Sequence, residues 1–297
     1  MKLQDALDRF LLQLEADGRS EHTIRQYRRH LRLLATGLAQ QGHTCDVRAV
    51  DDQDLARFLT SPGATTRPDG RPKKAGSTNA LRTSIRCFFG YLDRAGIVDR
   101  NPARLIRRAV CSPPPPRSLR PHEEAKLRAV LEAAKGDEGQ RDRVLVEFLL
   151  ATGARLSSAL ALRVEDLDLE AGIAHLRSVK GGREQVLYLS DKLRDVLTDY
   201  IADRRTGAVF AVGGGRHLST RHIQRRFRQW CDRAGLSRQV TAHSCRHSFA
   251  MRIYGSTRDL LVVQAALGHA SLASSVVYAR VDETRVRQVV AGISSVQ

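Results

Sequence analysis

The residues best suited to chemistry lie in the second half of the chain, where cationic side chains and one tyrosine follow each other in four short segments. These are ATGARLSS with Arg155, KGGRE with Lys180, AHSCRHSFA with His243, Arg246 and His247, and LGHASLASSVVYAR with His269 and Tyr278. A tyrosine hydroxyl can attack a phosphorus atom when cations neutralise the charge that develops on the phosphate oxygens. Arginine suits those oxygens because its planar fork meets two at once, and lysine or histidine can protonate the leaving oxygen. The set indicates phosphodiester chemistry at a protein hydroxyl.

Tyr278 also has an ordinary interpretation, since a tyrosine on a helix is more often half-buried in a core than nucleophilic. Its phenol has a pKa of about 10 in water, so it needs a proton acceptor or a strongly cationic setting at neutral pH. His269 precedes it by nine residues. The catalytic interpretation therefore requires that the four segments meet in the folded protein.

Other routes to phosphodiester chemistry are not visible in the sequence. We find no carboxylate cluster that suggests a Mg²⁺ site, and GGGRHLST at 213–220 lacks the GK[ST] ending of a P-loop. His243 and His247 stand four residues apart, but HSCRH lacks the glutamate of HExxH, and Arg246 would bring a positive charge beside a zinc ion. We predict no metal and no cofactor.

The charge of the chain indicates a polyanionic partner. Among 297 residues, 49 are Lys or Arg and 32 are Asp or Glu, which gives a formal net charge of +17. No apolar run approaches the roughly 20 residues of a membrane-spanning helix, so we predict no membrane partner. The first 18 residues carry acidic side chains where a signal peptide would be apolar, which favours a cytoplasmic protein.

A proline run divides the chain. Four consecutive prolines in CSPPPPRSL cannot lie inside a helix and favour an extended spacer. We predict a DNA-binding domain at 1–110, a linker at 111–118 and a catalytic domain with a C-terminal tail at 119–297. Both parts carry a net positive charge, +8 and +9, which favours a clamp in which both contact the same polyanion.

The first domain is predicted to be helical. Its first helix has an apolar stripe at Leu3, Ala6, Leu7, Phe10, Leu11 and Leu14. Ser20 or Thr23 can cap the next helix, whose arginines face away from its apolar side. Of these, we single out Arg25, Arg28 and Arg29 as candidate DNA contacts, although a solvated face is the alternative.

The second domain is predicted to be helical apart from one hairpin. IAHLRSV and QVLYL are strand-like runs around a Gly-Gly turn that carries Lys180. Farther on, HLSTRHIQRRFRQWCDRAG predicts a helix capped at Ser219 or Thr220, with Arg221, Arg225 and Arg228 on its outer face. These arginines have no acidic neighbour before Asp232, which favours a phosphate or groove contact over a solvated face.

The ordered set R…K…HxxR…H…Y resembles the tyrosine recombinase (phage integrase) family. The first domain is also similar to the family's core-binding domain, in GRSEHTIRQYRRHLR and STNALRTSIRCFFGYLDRAGIVDRNPA. The resemblance implies a mainly α fold with a small antiparallel β-sheet, formed by a helical SAM-like core-binding domain and a mixed α/β catalytic domain. It covers nearly the whole chain.

The resemblance implies a role for each residue that matches the family's motifs. Arg155 and Arg246 would clamp the scissile phosphate, and His243 and His269 would bond to it or assist proton transfer. Lys180 would be the general acid toward the 5′ oxygen, and Tyr278 the nucleophile that forms a 3′-phosphotyrosyl link.

Two further residues lie beside these motifs. His247 either supports the phosphate clamp or is a buried core histidine. Ser158 stands where the family often has an acidic residue, so it departs from the usual partner of Arg155.

The family also implies partners. These are double-stranded DNA with inverted-repeat half-sites, a synaptic tetramer of the chain itself that passes through a Holliday junction, and in some members a partner recombinase or accessory protein. The simple two-domain Xer or integron type fits best, without excluding a mobile-element integrase, and implies a bacterial, nucleoid-associated protein. The tail at 281–297 would dock on a neighbouring subunit.

Two other functions stay open at this point. A type IB topoisomerase-like enzyme would use the same chemistry to relax DNA without strand exchange. A non-catalytic DNA-binding regulator would retain the basic surfaces without forming a covalent link.

Overall fold

The computed structural model describes residues 1–42, 46–110, 117–177, 184–212, 216–268 and 276, and most of them are helical. They divide into two units, Met1–Pro113 and Pro114–Gln297. The prolines of the predicted linker lie outside the described residues.

The first unit is built from helices. They are α1 (Leu3–Ala16), α2 (Glu21–Gln40), α3 (Asp52–Thr60), α4 (Pro62–Thr65) and α5 (Ala75–Arg94), with short 3₁₀ turns at Val47–Ala49 and Pro102–Leu105. The predicted stripe of α1 is confirmed, because its members from Ala6 to Leu14 are buried. Ser20 caps α2 by accepting a hydrogen bond from the Thr23 amide at 3.3 Å.

Aromatic side chains join these helices. The Phe10 ring of α1 lies 5.6 Å from Tyr27 of α2 and 5.6 Å from Phe88 of α5, both in edge-to-face geometry. Burying a phenylalanine contributes roughly 1.5–3 kcal/mol, so this cluster holds α1 and α2 against α5.

The second unit contains more helices and two small sheets. Its elements are α6 (Pro121–Glu132), α7 (Gly136–Thr152), α8 (Leu156–Ala161), β1 (Leu167–Asp168), β2 (Ile173–Leu176), β3 (Gln185–Tyr188), α9 (Asp191–Ile201), β4 (Ala211–Val212), β5 (Arg216–His217), α10 (Thr220–Arg233), α11 (Ala242–Thr257) and α12 (Leu260–Leu267). Strands β1, β2 and β3 form an antiparallel sheet in that order, and β4 pairs with β5. The predicted hairpin is confirmed, with Leu176 paired to Gln185 at its last described register position.

Helix α7 lies at the centre of the second unit. Phe148, Leu149 and Leu150 are all buried, as expected for a helix surrounded by α6, α9 and α11. Asp142, paired with Arg141 on the same helix at 2.8 Å, also fixes α10 against α7. It accepts hydrogen bonds from the Trp230 indole at 2.8 Å and from Arg226, both on α10. The orientation of α10 thus depends on a buried carboxylate that is fully paired.

None of the described helices is both long and apolar enough to cross a lipid bilayer. The mainly α fold with a small antiparallel sheet confirms the predicted fold class.

Candidate active site

The turn between α7 and α8 positions Arg155. Gly153 ends α7 in the left-handed region with φ of 63°. A Cβ atom there would lie 2.4 Å from Phe249 Cδ1 and 3.0 Å from Leu267 Cδ2, so both the backbone angle and the space require glycine. The chain can therefore turn sharply against α11 and α12, and Arg155 begins α8 in a half-buried position.

Arg246 joins three segments that are distant in sequence. Its side chain is 3% exposed; Nη1 donates to the Gly153 carbonyl at 2.7 Å, and Nη2 donates to the Leu267 carbonyl at 2.8 Å. Both carbonyls lie at helix carboxyl ends, where backbone oxygens lack helical partners and a positive charge is favourable. One guanidinium therefore holds the turn before Arg155 and the end of α12 against α11.

His243 lies in the first turn of α11, close to both arginines. The Ser244 hydroxyl accepts a hydrogen bond from the Thr241 amide at 3.1 Å and so fixes the beginning of this helix. Partial burial lowers the pKa of the His243 imidazole, and the Arg246 and Arg155 guanidinium groups lower that pKa further. Arg155 and His243 line the same cleft, and Arg246 bonds to the turn just before Arg155, so the three side chains occupy one region of the site. With its pKa lowered, His243 is neutral at pH 7.

His247 packs against His243 one turn along α11. The ring centroids are 4.5 Å apart with an interplanar angle of 78°, an edge-to-face arrangement. His247 is half-buried, which fits its predicted role as a support for the clamp as well as a core position. Within the described ranges, no group of three His, Cys, Asp or Glu side chains is arranged to hold a metal ion.

A cleft of ≈ 660 Å³ opens beside these residues. Arg155 and His243 line it, together with Gln224, Arg228 and Arg238. Its walls come from the start of α8, one side of α10 and the loop that leads into α11. The guanidinium groups of Arg155, Arg228 and Arg238 in this lining suit an anion, and the opening of the cleft to solvent suits a large one.

Comparison with protein families identifies the chain. The phage integrase family matches residues 117–285, and the phage integrase N-terminal SAM-like domain matches residues 7–96. The first range alone covers more than half of the sequence. The chain belongs to the phage integrase family. This confirms the predicted family and, with it, the enzyme class of the tyrosine recombinases.

Relatives of this integrase-family chain extend along nearly its whole length. It is 30% identical to a tyrosine recombinase XerD of Ralstonia nicotianae, over 95% of this chain and 92% of the relative. It is 32% identical to a tyrosine recombinase XerC of Xanthomonas campestris pv. campestris, over 93% of this chain and 84% of the relative. The fold is also similar to that of a chain in the structure of a lambda integrase tetramer bound to a Holliday junction, with a TM-score of 0.72 and 21% identity over 91% of this chain and 78% of that one.

Three predicted catalytic residues of this integrase-family chain, Lys180, His269 and Tyr278, lie outside the described residues. Ser158 is described and lies 5% exposed in α8. The structure thus brings together Arg155, His243 and Arg246, and the predicted roles of all these side chains stay predictions.

The arginines predicted to contact DNA in the first unit differ in their surroundings. Arg25 is exposed and pairs with Glu21 at 3.3 Å, one turn earlier on α2. Arg28 is half-buried, and Arg29 is exposed with Nη2 3.4 Å from His30 Nε2. Because an exposed ion pair contributes little energy, Arg25 can exchange Glu21 for a phosphate at low cost.

On α10, Arg221 and Arg225 are exposed, as predicted for a surface that contacts a polyanion. Arg228 has intramolecular partners instead. It pairs with Asp232 at 2.8 Å, and its guanidinium donates to the Ser237 carbonyl at 3.0 Å and the Leu236 carbonyl at 3.1 Å. Arg228 therefore anchors the loop before α11, and any DNA contact by it would compete with these bonds.

Arg238 and Gln224 were not predicted, yet both line the cleft beside His243. Arg238 lies in the loop that leads into α11, and Gln224 is exposed on α10 between the arginines of the predicted stripe. The only sequence signal for Arg238 is that it stands five residues before His243. Gln224 carries no charge and so gave no signal.

Proposed function

We propose that the chain is a site-specific recombinase that cuts and rejoins double-stranded DNA through a 3′-phosphotyrosyl intermediate. The observation that carries this proposal is the clamp made by Arg246, which holds the turn before Arg155 and the end of α12 beside His243. His269 follows α12 directly in the sequence, separated from it only by Gly268. A residue of each described motif therefore has a fixed place around one cleft.

The reaction begins with a phosphodiester bound in that cleft. Arg155 holds one non-bridging oxygen, and Arg246 holds the other by exchanging one of its two bonds to backbone carbonyls. The two guanidinium groups neutralise the charge that develops as the tyrosine attacks. The neutral imidazole of His243 can accept or donate a hydrogen bond as the negative charge shifts between oxygens. A neutral histidine also avoids adding a third repelling cation before DNA arrives.

Bond exchange then needs only protein groups. The Tyr278 oxygen forms a bond to phosphorus while the bond from phosphorus to the 5′ oxygen breaks, and the phenol proton passes to a neighbouring base. Lys180 donates a proton to the departing 5′ oxygen. The phosphotyrosyl ester retains the energy of the broken phosphodiester, so attack by a 5′ hydroxyl of the second duplex restores the DNA without ATP and releases the tyrosine.

The charge and the similar solved structure support a proposal for the assembly. Both units are basic, so we propose that both contact one duplex at each inverted half-site. The similar lambda integrase is a tetramer bound to a Holliday junction, which supports a four-subunit synaptic complex here. We propose that the tail at 281–297 joins neighbouring subunits, and that a second recombinase or an accessory protein takes part where the two half-sites differ.

Covalent capture tests this function. DNA sites are first selected from genomic fragments by the full chain, and a nick is then placed so that cleavage releases a short fragment and traps the intermediate. Wild-type protein is expected to form a covalent adduct that survives denaturation, whereas Tyr278→Phe binds the same DNA and forms none.

Other outcomes would support the alternative functions. Relaxation of plasmids that lack any selected site would support a topoisomerase-like enzyme. DNA binding by wild-type protein with no adduct at any selected site would support a non-catalytic binder and contradict the proposal.

A further inference from the structure

The carboxyl end of α12 carries backbone oxygens that its own helix does not bond. Gly268 ends the helix with φ of 60°, and its amide donates back to the Ala265 carbonyl at 3.1 Å. The next two carbonyls receive side-chain donors from outside the helix. Arg246 donates to Leu267 at 2.8 Å, and Gln185 Nε2 donates to Ala266 at 3.3 Å. Two distant segments therefore fix one helix end.

Gln185 also packs directly against the last glycine. A Cβ atom at Gly268 would lie 2.5 Å from Gln185 Cδ, 2.6 Å from Oε1 and 2.8 Å from Nε2. The amide of Gln185 thus occupies the space that any other residue at 268 would need. This close packing, added to the hydrogen bond, leaves the α12 end little freedom to move relative to β3.

Gln185 itself has a fixed position in the hairpin. It is half-buried at the start of β3, opposite Leu176, at the last described pair before the hairpin tip. The other leg of the hairpin is held separately, because Arg177, which follows Leu176, pairs with the buried carboxylate of Asp166. The leg that contains Gln185 reaches across to α12.

We propose that Gln185 is a positioning residue for the recombination reaction. It joins β3, which follows Lys180 in the sequence, to the end of α12, which precedes His269 in the sequence, and so fixes these two elements against each other. The proposal rests on the proposed function, since it assigns a role in that same reaction. Gln185 acts through the Ala266–Gly268 turn and need not touch DNA.

The first test compares two substitutions on β3. Gln185→Met keeps the length of the side chain but removes the donor, and Val186→Met introduces the same residue one position along, on the opposite face of the strand. Single-turnover adduct formation on the nicked substrate is expected to fall about 3- to 10-fold in Gln185→Met, the effect of one hydrogen bond, and to stay unchanged in Val186→Met. DNA affinity should match wild type in both variants, and the melting temperature of Gln185→Met should fall by no more than about 2–4 °C, the effect of one hydrogen bond.

A second test uses pH to separate the effect of the hydrogen bond from the effect of the space that the side chain at position 185 fills. In Gln185→Glu the carboxylate faces the Ala266 carbonyl and repels it, whereas the protonated acid can donate to that carbonyl. The adduct rate of Gln185→Glu relative to wild type is therefore expected to rise only as pH falls toward about 4, where a carboxyl becomes protonated, because the Arg246 guanidinium at the neighbouring Leu267 carbonyl favours the charged form. The same ratio for Gln185→Met should not change with pH.

The outcomes distinguish this proposal from the proposed function. If wild-type protein forms the adduct and Gln185→Met forms it at the same rate, the positioning role is wrong while the recombinase function stands. A Gln185→Glu ratio that does not vary with pH would likewise contradict the hydrogen bond. If wild-type protein forms no adduct, the proposed function itself fails.

Discussion

Replacing Arg246 with lysine tests the centre of the proposed site, because the substitution keeps the positive charge but removes the planar guanidinium group. The guanidinium spans the carbonyls of Gly153 and Leu267 at 2.7 and 2.8 Å, and the side chain is 3% exposed. A lysine ammonium is a compact donor at the end of a flexible stem and cannot bridge two carbonyls in the same way. In Arg246→Lys, at least one buried carbonyl loses its charged partner.

Two magnitudes follow from this geometry. Losing a hydrogen bond between a charged donor and a buried carbonyl costs about 1.5–3 kcal/mol, so the free energy of unfolding should fall by that amount. Removing one preorganised donor from a developing phosphate charge costs on the order of 10²–10³ in rate, so adduct formation should fall at least about 100-fold. DNA affinity should change less than about fivefold, because many other phosphate contacts remain.

A matched control lies on the same helix. Arg252 is 47% exposed; its Nη1 donates to Glu124 at 2.9 Å and its Nη2 to the Leu150 carbonyl. Arg252→Lys should reduce stability by less than about 1 kcal/mol, as expected for an exposed pair, and leave the adduct rate within about twofold. Urea unfolding and single-turnover adduct formation measure both effects. Equal adduct rates in Arg246→Lys and Arg252→Lys would refute the clamp.

Two histidines give predictions that depend on pH. DNA binding should raise the lowered pKa of His243, because the phosphate favours the protonated imidazole. Calorimetry near pH 6, in buffers of different ionisation enthalpy, should therefore detect proton uptake on binding, and His243→Asn should abolish it. Binding heats of wild type that do not depend on the buffer would contradict this. Burial and the neighbouring Arg29 and Lys73 lower the pKa of His30 to about 4, so its neutral form stabilises the protein fully above pH 6.5. That contribution, about 3 kcal/mol, is lost as pH falls toward 4. In urea unfolding, the difference in free energy of unfolding between wild type and His30→Asn should therefore become smaller as pH falls from 6.5 toward 4. A difference that does not change with pH would show that His30 is not held neutral.

Burial and two neighbouring cations keep both histidines neutral, but the two residues lie in different surroundings. His30 lies 7% exposed with its Nδ1 2.8 Å from Ser84 Oγ, where it stabilises the contact between α2 and α5. His243 lies at the open cleft, where two guanidinium groups act on it and an incoming phosphate can offset their effect. The first is a structural residue, and the second is suited to respond to DNA.

Local elements of the fold could be predicted because their signals lie within one segment. The apolar residues of α1 from Ala6 to Leu14, predicted from their spacing to face the core, are buried. On α10 the same holds for Ile223, Phe227 and Trp230. A side chain's face on a helix depends only on the 3.6-residue period, and a cap depends only on neighbours in sequence. The order of the four motifs was likewise enough to predict the family.

The sequence by itself determined the helices, the hairpin, the basic charge and the set of residues suited to phosphate chemistry. Only the tertiary structure decided that Arg246 bonds to Gly153 and Leu267, 93 and 21 residues away, and that Gln185 reaches Ala266, 81 residues away. It also decided that Arg228 and Arg238 both line the cleft, and that Arg228 is at the same time bonded to the loop before α11. The physical reason is that periodicity specifies which face of an element is buried, whereas close packing of several elements specifies which distant backbone oxygen that face meets.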